Sequence, residues 1–188
     1  PIESKKGWTR IRNNFDLLYD TPGSVAELRQ SILQLAVMGK LVPQDPKDEP
    51  ASVLLEKIAK EKETLIAEGK IKKQKPLPPV DPDEVPYELP GGWEWTRLGE
   101  SYDVRDGTHD TPKYVEDGIP LVTSKNIYNG RLNLSNAKCI SKEDHQSISI
   151  RSGVARDDIL FAMIGSVGNP VIIETDEEFS IKNVALFK

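Results

Sequence analysis

Prolines at 76, 78, 79, 82, 86 and 90 stand in one segment between residues 70 and 92, and they limit the chain more than any other feature. Proline lacks an amide hydrogen and fixes φ, so neither a helix nor an inner strand can pass through such a stretch. The regions on its two sides must fold separately, joined by an extended, polyproline-like spacer that wraps over a surface. The expected division is a helical region over 1–76, a proline-rich linker over 77–92 and a β-rich domain over 93–188. The expected fold class is therefore α+β: a helical hairpin arm, a linker, then a β domain.

Two runs before the prolines carry helical periodicity. Ser24-Val25-Ala26-Glu27 has the spacing of a capping box. Val25, Leu28, Ile32, Leu35 and Ala36 recur at three- and four-residue steps, and Gly39 falls where a left-handed terminator is wanted, giving a helix from about 25 to 38. Pro50 then suits a first helical position, Leu54, Leu55, Ile58, Leu65 and Ile66 share a face, and Gly69 closes a second helix over about 50–68. Two such helices cannot bury both apolar stripes alone, so Leu28, Ile32, Leu35, Leu54, Leu55 and Ile58 are expected to meet a partner.

Beyond the prolines, β-type stretches at 93–98, 119–123, 137–140, 159–164, 171–175 and 184–187 are separated by Gly, Asn, Asp and Pro. Trp93 and Trp95 alternate with Glu94 and Thr96, which would place both indoles on one face of a strand, as packing groups. The last stretch has no closing turn, so the β domain is expected to continue past Lys188.

Composition sets further bounds. With one cysteine, Cys139, no internal disulfide is possible, and no apolar run approaches the roughly 20 residues that span a bilayer. Residues 1–14 lack the pattern of a signal peptide, and a cytoplasmic protein with no membrane partner is expected. The net charge of −5 is unevenly spread, with 14 basic against 11 acidic residues through Pro76 and 11 against 19 after it. A nucleic-acid ligand for the second part would thus need partners to supply part of the positive field.

Catalytic patterns are missing. Asn169-Pro170-Val171-Ile172 lacks the second proline and the aromatic that hold a flipped base in amino-methyltransferases. Pro82-Asp83 is followed by no acidic-x-Lys of the common restriction-nuclease kind, and no Gly-rich loop with Lys-Ser/Thr could cradle a nucleotide. His109, His145, Cys139, Asp103, Asp106 and Asp110 fit no metal-ligand spacing, and Cys139 reads as a small packing residue. No catalytic residue, metal ligand or cofactor is assigned to this chain.

Two stretches do match a known pattern. Residues 28–46, from Leu28-Arg29-Gln30-Ser31-Ile32-Leu33-Gln34-Leu35-Ala36-Val37-Met38-Gly39-Lys40-Leu41-Val42-Pro43, with Asp48-Glu49-Pro50-Ala51-Ser52 and Leu54-Leu55-Glu56-Lys57-Ile58, resemble the helical repeat region of the specificity subunits of type I restriction-modification systems. Lys70-Ile71-Lys72-Lys73-Gln74-Lys75-Pro76-Leu77-Pro78 through Leu89-Pro90-Gly91-Gly92-Trp93-Glu94-Trp95-Thr96-Arg97-Leu98-Gly99-Glu100 resembles that family's approach to a target-recognition domain. Asp106-Gly107-Thr108-His109-Asp110-Thr111-Pro112, Gly118-Ile119-Pro120-Leu121-Val122 and Asn126-Ile127 with Gly130 look like its opening. Asp157-Asp158-Ile159-Leu160 departs from the family's Gly-Asp-Ile-Leu.

The resemblance implies a longer, non-catalytic protein with two recognition domains, each reading half of a split DNA target. It also implies two modification subunits that bind S-adenosylmethionine and methylate adenine, and restriction subunits that use ATP and Mg²⁺. On that basis the candidate contacts to double-stranded DNA are His109, Thr111, Lys113, Tyr114, Ser124, Lys125, Asn126 and Arg131. Their side chains can meet phosphate, guanine O6/N7, adenine or a thymine methyl. Each of them taken singly also fits a solvated loop. Gly165-Ser166-Val167-Gly168-Asn169 fits a tight connection as well as a DNA-facing loop. From another class, composition alone would suit an interaction protein with a helical docking arm and a carbohydrate- or peptide-binding β domain, although aromatic residues are only 6%, few for a sugar-binding face.

Overall fold

The computed structural model describes residues 2–165 and 167–188. The chain separates by contact into two units, Pro1–Glu61 with Pro78–Thr96, and Lys62–Leu77 with Arg97–Lys188. The backbone therefore changes unit after Glu61, Leu77 and Thr96, where the prolines had suggested changes after 76 and 92.

In the first unit, α1 (Ile2–Asn13) and α2 (Phe15–Leu18), neither expected from the sequence, precede α3 (Pro22–Val37) and the greater part of α4 (Ala51–Ala67), whose residues from Lys62 onward belong to the second unit. The cap of α3 is Thr21, not Ser24: Thr21 Oγ1 accepts from the Ser24 amide at 3.1 Å, Ser24 Oγ accepts from the Thr21 amide at 3.3 Å, and Pro22 takes the first turn. Thr-Pro gives an earlier start than the Ser-to-Glu spacing because proline's fixed φ is already helical. Gly39 ends α3 as expected, at φ +64°, with the Lys40 amide donating to Leu35 O and the Gly39 amide to Ala36 O.

The proline-rich segment packs back on this unit through a 3₁₀ turn at Pro82–Glu84. Tyr87 donates to Val37 O at 3.2 Å, Trp93 Nε1 donates to Gln44 Oε1 at 2.8 Å, and the Tyr87 and Trp95 rings lie 5.1 Å apart. Residues 93–97 form no strand, contrary to the alternation. Trp93 and Trp95 are held by these aromatic and side-chain contacts, which take the place of a pairing strand.

The second unit opens with residues 62–77, where Lys62 Nζ donates to Gly99 O at 2.6 Å and to Tyr102 O at 3.0 Å. In chain order its elements are α5 (Leu98–Ser101), β1 (Val104–Asp106), β2 (Tyr114–Val115), β3 (Ile119–Val122), β4 (Ile127–Tyr128) and β5 (Arg131–Leu132). Next come β6 (Lys138–Ile140), α6 (Lys142–Ser152), β7 (Ile159–Ala162), β8 (Gly168–Ile172), β9 (Ser180–Ile181) and β10 (Val184–Phe187).

One antiparallel sheet has the order β1-β10-β7-β8 and a second has the order β2-β6-β3-β9, in which β3 and β9 are parallel; β4 and β5 form a separate ribbon. The shared core is Val122, Ile127, Leu160, Val171, Ile173, Phe179, Ile181, Val184 and Leu186. Helices and strands are thus segregated along the chain, the α+β class.

Strands β1, β2, β4, β5 and β9 and helices α5 and α6 were not among the expected elements, and one expected strand is displaced. The strand expected at 171–175 lies at 168–172, because Gly168 and Asn169 take positive φ and shift the pairing with β7 at an irregularity between Leu160 and Ala162. Helix α6 had no apolar stripe to reveal it. Its inner face is polar, with His145 Nδ1 2.9 Å from Ser180 Oγ and Ser152 1% exposed. Its N-cap Ser141 accepts from the Asp144 amide at 3.1 Å.

Candidate nucleic-acid interface

Parallel pairing of β3 with β9 makes the two strands leave the sheet side by side, so Ser124 and Lys125 emerge beside Lys182 and Asn183. The segment 107–109 is fastened to the same place. The Thr108 amide donates to Ile181 O at 2.9 Å and the Asn183 amide to Thr108 O at 3.1 Å. Lys182 Nζ donates to His109 O at 2.6 Å, and His109 Nδ1 lies 3.0 Å from Asn183 Oδ1. Only glycine fits at 107, since a Cβ there would stand 2.6 Å from Ile181 O.

Strand pairing carries a third segment to this end. Ala162 is opposite Val184, so residues 163–165 leave where residue 183 enters, and a Cβ on Gly165 would lie 4.0 Å from Ser124 Oγ. Of the expected loop 165–169, Ser166 lies outside the described residues.

The β4–β5 ribbon comes directly after. Ile127 faces Leu132 across it, Ile127 being 1% exposed and Leu132 packed on the core, while the next pair, Tyr128 and Arg131, faces outward. Alternation along a strand requires this, because successive side chains point to opposite faces. Asn129 at φ +51° and Gly130 at φ +68° form the two-residue turn. Asn-Gly between two short β runs is the strongest local hairpin signal, one that could have located these residues in the sequence. A cleft of about 620 Å³ is lined by Lys125, Asn126, Tyr128, Asn129, Arg131 and Asn133.

Among the expected contacts, Asn126 has a different role. It is 7% exposed, its Oδ1 accepts from the Thr123 amide at 2.9 Å, and its Nδ2 donates to Asn133 O at 3.2 Å. With the Asn133 amide donating to Asn126 O at 2.8 Å, the residue clamps the root of the ribbon. Lys125, Tyr128 and Arg131 engage no described hydrogen bond or ion pair through their side chains.

The remaining candidates are distributed more widely. Tyr114 sits on the edge strand β2, opposite Ile140, which also faces Ile119; it is therefore level with the start of β3, away from Ser124. Lys138 Nζ lies 4.4 Å from the centre of its ring, a cation–π contact. Thr111 and Lys113 are exposed on the segment between. Lys182, Asn183 and Tyr128 were not foreseen: the first two acquire meaning only when 107–109 docks on them.

The six residues expected to meet a partner are not buried: Ile32 and Leu35 are each 42% exposed and Leu54 54%, while Leu28, Leu55 and Ile58 are half-buried.

Charge is unevenly spread within this unit. Residues 118–142 contain Lys125, Arg131, Lys138 and Lys142 and no carboxylate. Glu174 and Glu177 line a cleft of about 760 Å³ with Gly130, Arg131 and Leu132 of the ribbon, whereas Asp157 and Asp158 lie where Ile159 pairs with both Ile172 and Phe187. There Asp158 accepts from Lys188 Nζ at 2.6 Å, and Arg156 holds Asp176 at 2.6 Å. The hydrogen bond and charge of Arg156 lower the Asp176 carboxyl below its ordinary value, and the same contact raises the guanidinium. Among the described residues, no three His, Cys, Asp or Glu side chains are grouped as a metal would require, and no helix is long and apolar enough to cross a membrane.

No family model matches the chain. Over 132 residues it is 54% identical to the type I restriction enzyme EcoAI specificity subunit of Escherichia coli, covering 70% of this chain and 22% of that protein. Over 98 residues it is 62% identical to the EcoEI specificity subunit of the same species, covering 52% of this chain and 16% of that protein. The HsdS subunit of Thermoanaerobacter tengcongensis, a solved structure, aligns with 87% of this chain and 35% of its own at 17% identity and a TM-score of 0.40. The chain belongs to the specificity subunits of type I restriction-modification systems. It spans about a fifth of the length of the curated relatives it matches.

Proposed function

We propose that this chain is the part of a type I specificity subunit that selects one half of a split DNA target, while other subunits carry out the chemistry. The observation that carries this is the stretch 118–142, which holds four cations and no carboxylate and folds into two inner strands and a ribbon with Lys125, Tyr128 and Arg131 unengaged. A local run of cations without a carboxylate lessens the opposition that a net charge of −5 offers to a phosphate-bearing ligand. The names of the relatives favour DNA over a sugar or peptide.

In this reading the partners are duplex DNA, modification subunits and restriction subunits. S-adenosylmethionine, ATP and Mg²⁺ belong to those partners, this chain acts in the cytoplasm without a catalytic residue, and the exposed apolar residues of α3 and α4 dock a modification subunit. So few cations make isolated binding weak, so the modification subunits must help to clamp the duplex.

The test is to express the full-length protein with its modification subunits in a methylation-free host and to map adenine methylation by single-molecule sequencing. A bipartite motif that changes one half when residues 97–188 are exchanged is the expected result. Methylation that is unchanged without this protein rejects the proposal.

A further inference from the structure

Resting on that function, we infer that the β4–β5 ribbon is the base-reading element, entering the major groove with Tyr128 and Arg131 as specificity-determining residues. Four features lead there. The ribbon is anchored on one side only, by Ile127 and Leu132, so its other side is free to enter a ligand. Tyr128 is 69% exposed, and a Cβ on Gly130 would meet nothing within 4 Å, so the tip stands clear of the fold. Its root is clamped by Asn126 and Asn133, which fixes where the tip points without using Tyr128 or Arg131. Lys125 lines the same cleft of about 620 Å³ and supplies a cation beside the tip.

A two-stranded ribbon fits a major groove about 12 Å wide and about 8.5 Å deep, where each base pair shows a distinct pattern, whereas the minor groove, about 6 Å wide, separates little more than A·T from G·C. Once there, the Arg131 guanidinium presents paired donors to O6 and N7 of a guanine. The Tyr128 ring packs on a thymine methyl or its hydroxyl meets a base edge, and Lys125 reaches phosphate at the groove wall. The segment 107–109 with Lys182 and Asn183 is already tied together by its own hydrogen bonds. It therefore serves as a fixed wall beside the reading element.

The experiment uses the full-length protein assembled with its modification subunits, binding a randomised library of the half-site, with selected sequences counted. Arg131→Lys keeps the charge and loses the fork; Arg131→Ala loses both. Both are expected to relax the base requirement at one position by roughly five- to 150-fold, leaving the other half-site intact. Tyr128→Ala relaxes a neighbouring position, and Arg156→Ala, at the far end, changes nothing.

An unaltered preference in Arg131→Lys and Tyr128→Ala overturns the assignment, as does binding weakened equally for all sequences, which marks a phosphate contact. If Arg131→Ala fails to assemble, Arg131→Lys and Tyr128→Ala decide. Absence of any bipartite preference in the unaltered complex would instead reject the proposed function itself.

Discussion

The helical unit and the β unit solve the problem of folding in different ways. In the β unit nine buried side chains form one contiguous cluster, with Val122, Leu160, Ile181, Val184 and Leu186 at 0% exposure. In α3 and α4 no residue is buried, and Leu33, Val37 and Leu54 are more than half exposed. The helices are instead defined by local devices: the Thr21 cap, the Gly39 termination, and the docking of Tyr87 and Trp93 on α3 and the turn after it. Such devices contribute about 1 kcal/mol each, whereas burying one large aliphatic side chain contributes about 1.5–3 kcal/mol. The β unit is thus built to hold a shape, and the helices to present an apolar surface.

Leucine truncation tests that contrast most sharply. Leu160→Ala in the full-length protein is expected to cost about 3–4 kcal/mol in denaturant unfolding, because the cavity opens in a closed core. Leu54→Ala in α4, at 54% exposure, is expected to cost no more than about 0.5 kcal/mol while weakening capture of the modification subunit. Equal losses at the two sites would break the comparison.

A smaller effect belongs to the ribbon root. Asn126→Ala leaves the Thr123 amide and Asn133 O without their partner in a site where water is largely excluded, and is expected to cost about 1–3 kcal/mol. Its consequence for DNA is loss of binding to every half-site alike, through a misplaced ribbon. Loss of preference at one base with full stability would make Asn126 a direct reader after all.

How much of this was visible beforehand depends on the same divide. Helices α3 and α4 announce themselves because an exposed amphipathic helix must carry a stripe of apolar residues and a terminating glycine. Strands β3, β7 and β10 do so because buried strands are rich in Ile, Val, Leu and Phe. Helix α6 did not, since its inner face is His145, Ser149 and Ser152 with Ile148 alone among them apolar, and hydrophobic periodicity cannot register a mostly polar interface. Nor did the docking of 107–109 on Lys182 and Asn183, which joins residues more than 70 positions apart through backbone hydrogen bonds that any residue can make, with side-chain bonds added to them. The site was therefore legible in its residue types, and illegible where tertiary hydrogen bonds decide which of those residues remain free. Asn126 and Lys125 are adjacent in sequence, yet the first is buried in hydrogen bonds and the second exposed to solvent.

Turns divide the units as well. Gly39 and Gly92 take the left-handed positions in the first unit, but Asn129, Asp157, Asn169 and Asn183 take four of those in the second. Asp157, at φ +69°, stands where the family pattern has glycine, so the turn before β7 is kept at the cost of a non-glycine residue in that region. Asp157→Gly is expected to stabilise the protein by about 0.5–1 kcal/mol, read as a higher denaturant midpoint at unchanged slope. A loss would show that the Asp157 side chain holds the turn by a contact of its own.

The smallest expected effect is a pH dependence at the acidic end. Asp176 has its carboxyl lowered by Arg156, so the folded state favours the ionised form more than the unfolded chain does. The stabilisation is present above the ordinary carboxylate value and disappears as pH falls through the lowered folded value. Because both partners are exposed to solvent, salt should screen the pair strongly. Asp176→Asn is accordingly expected to flatten slightly the acid limb of stability against pH at low salt and to leave the curve at neutral pH almost where it was. It should not alter half-site preference, since Asp176 is tied to Arg156 and does not line the clefts beside Arg131. A change in preference on removing that one carboxylate would mean that Asp176 lies within reach of the duplex and that its charge is part of how an acidic chain tunes its hold on DNA.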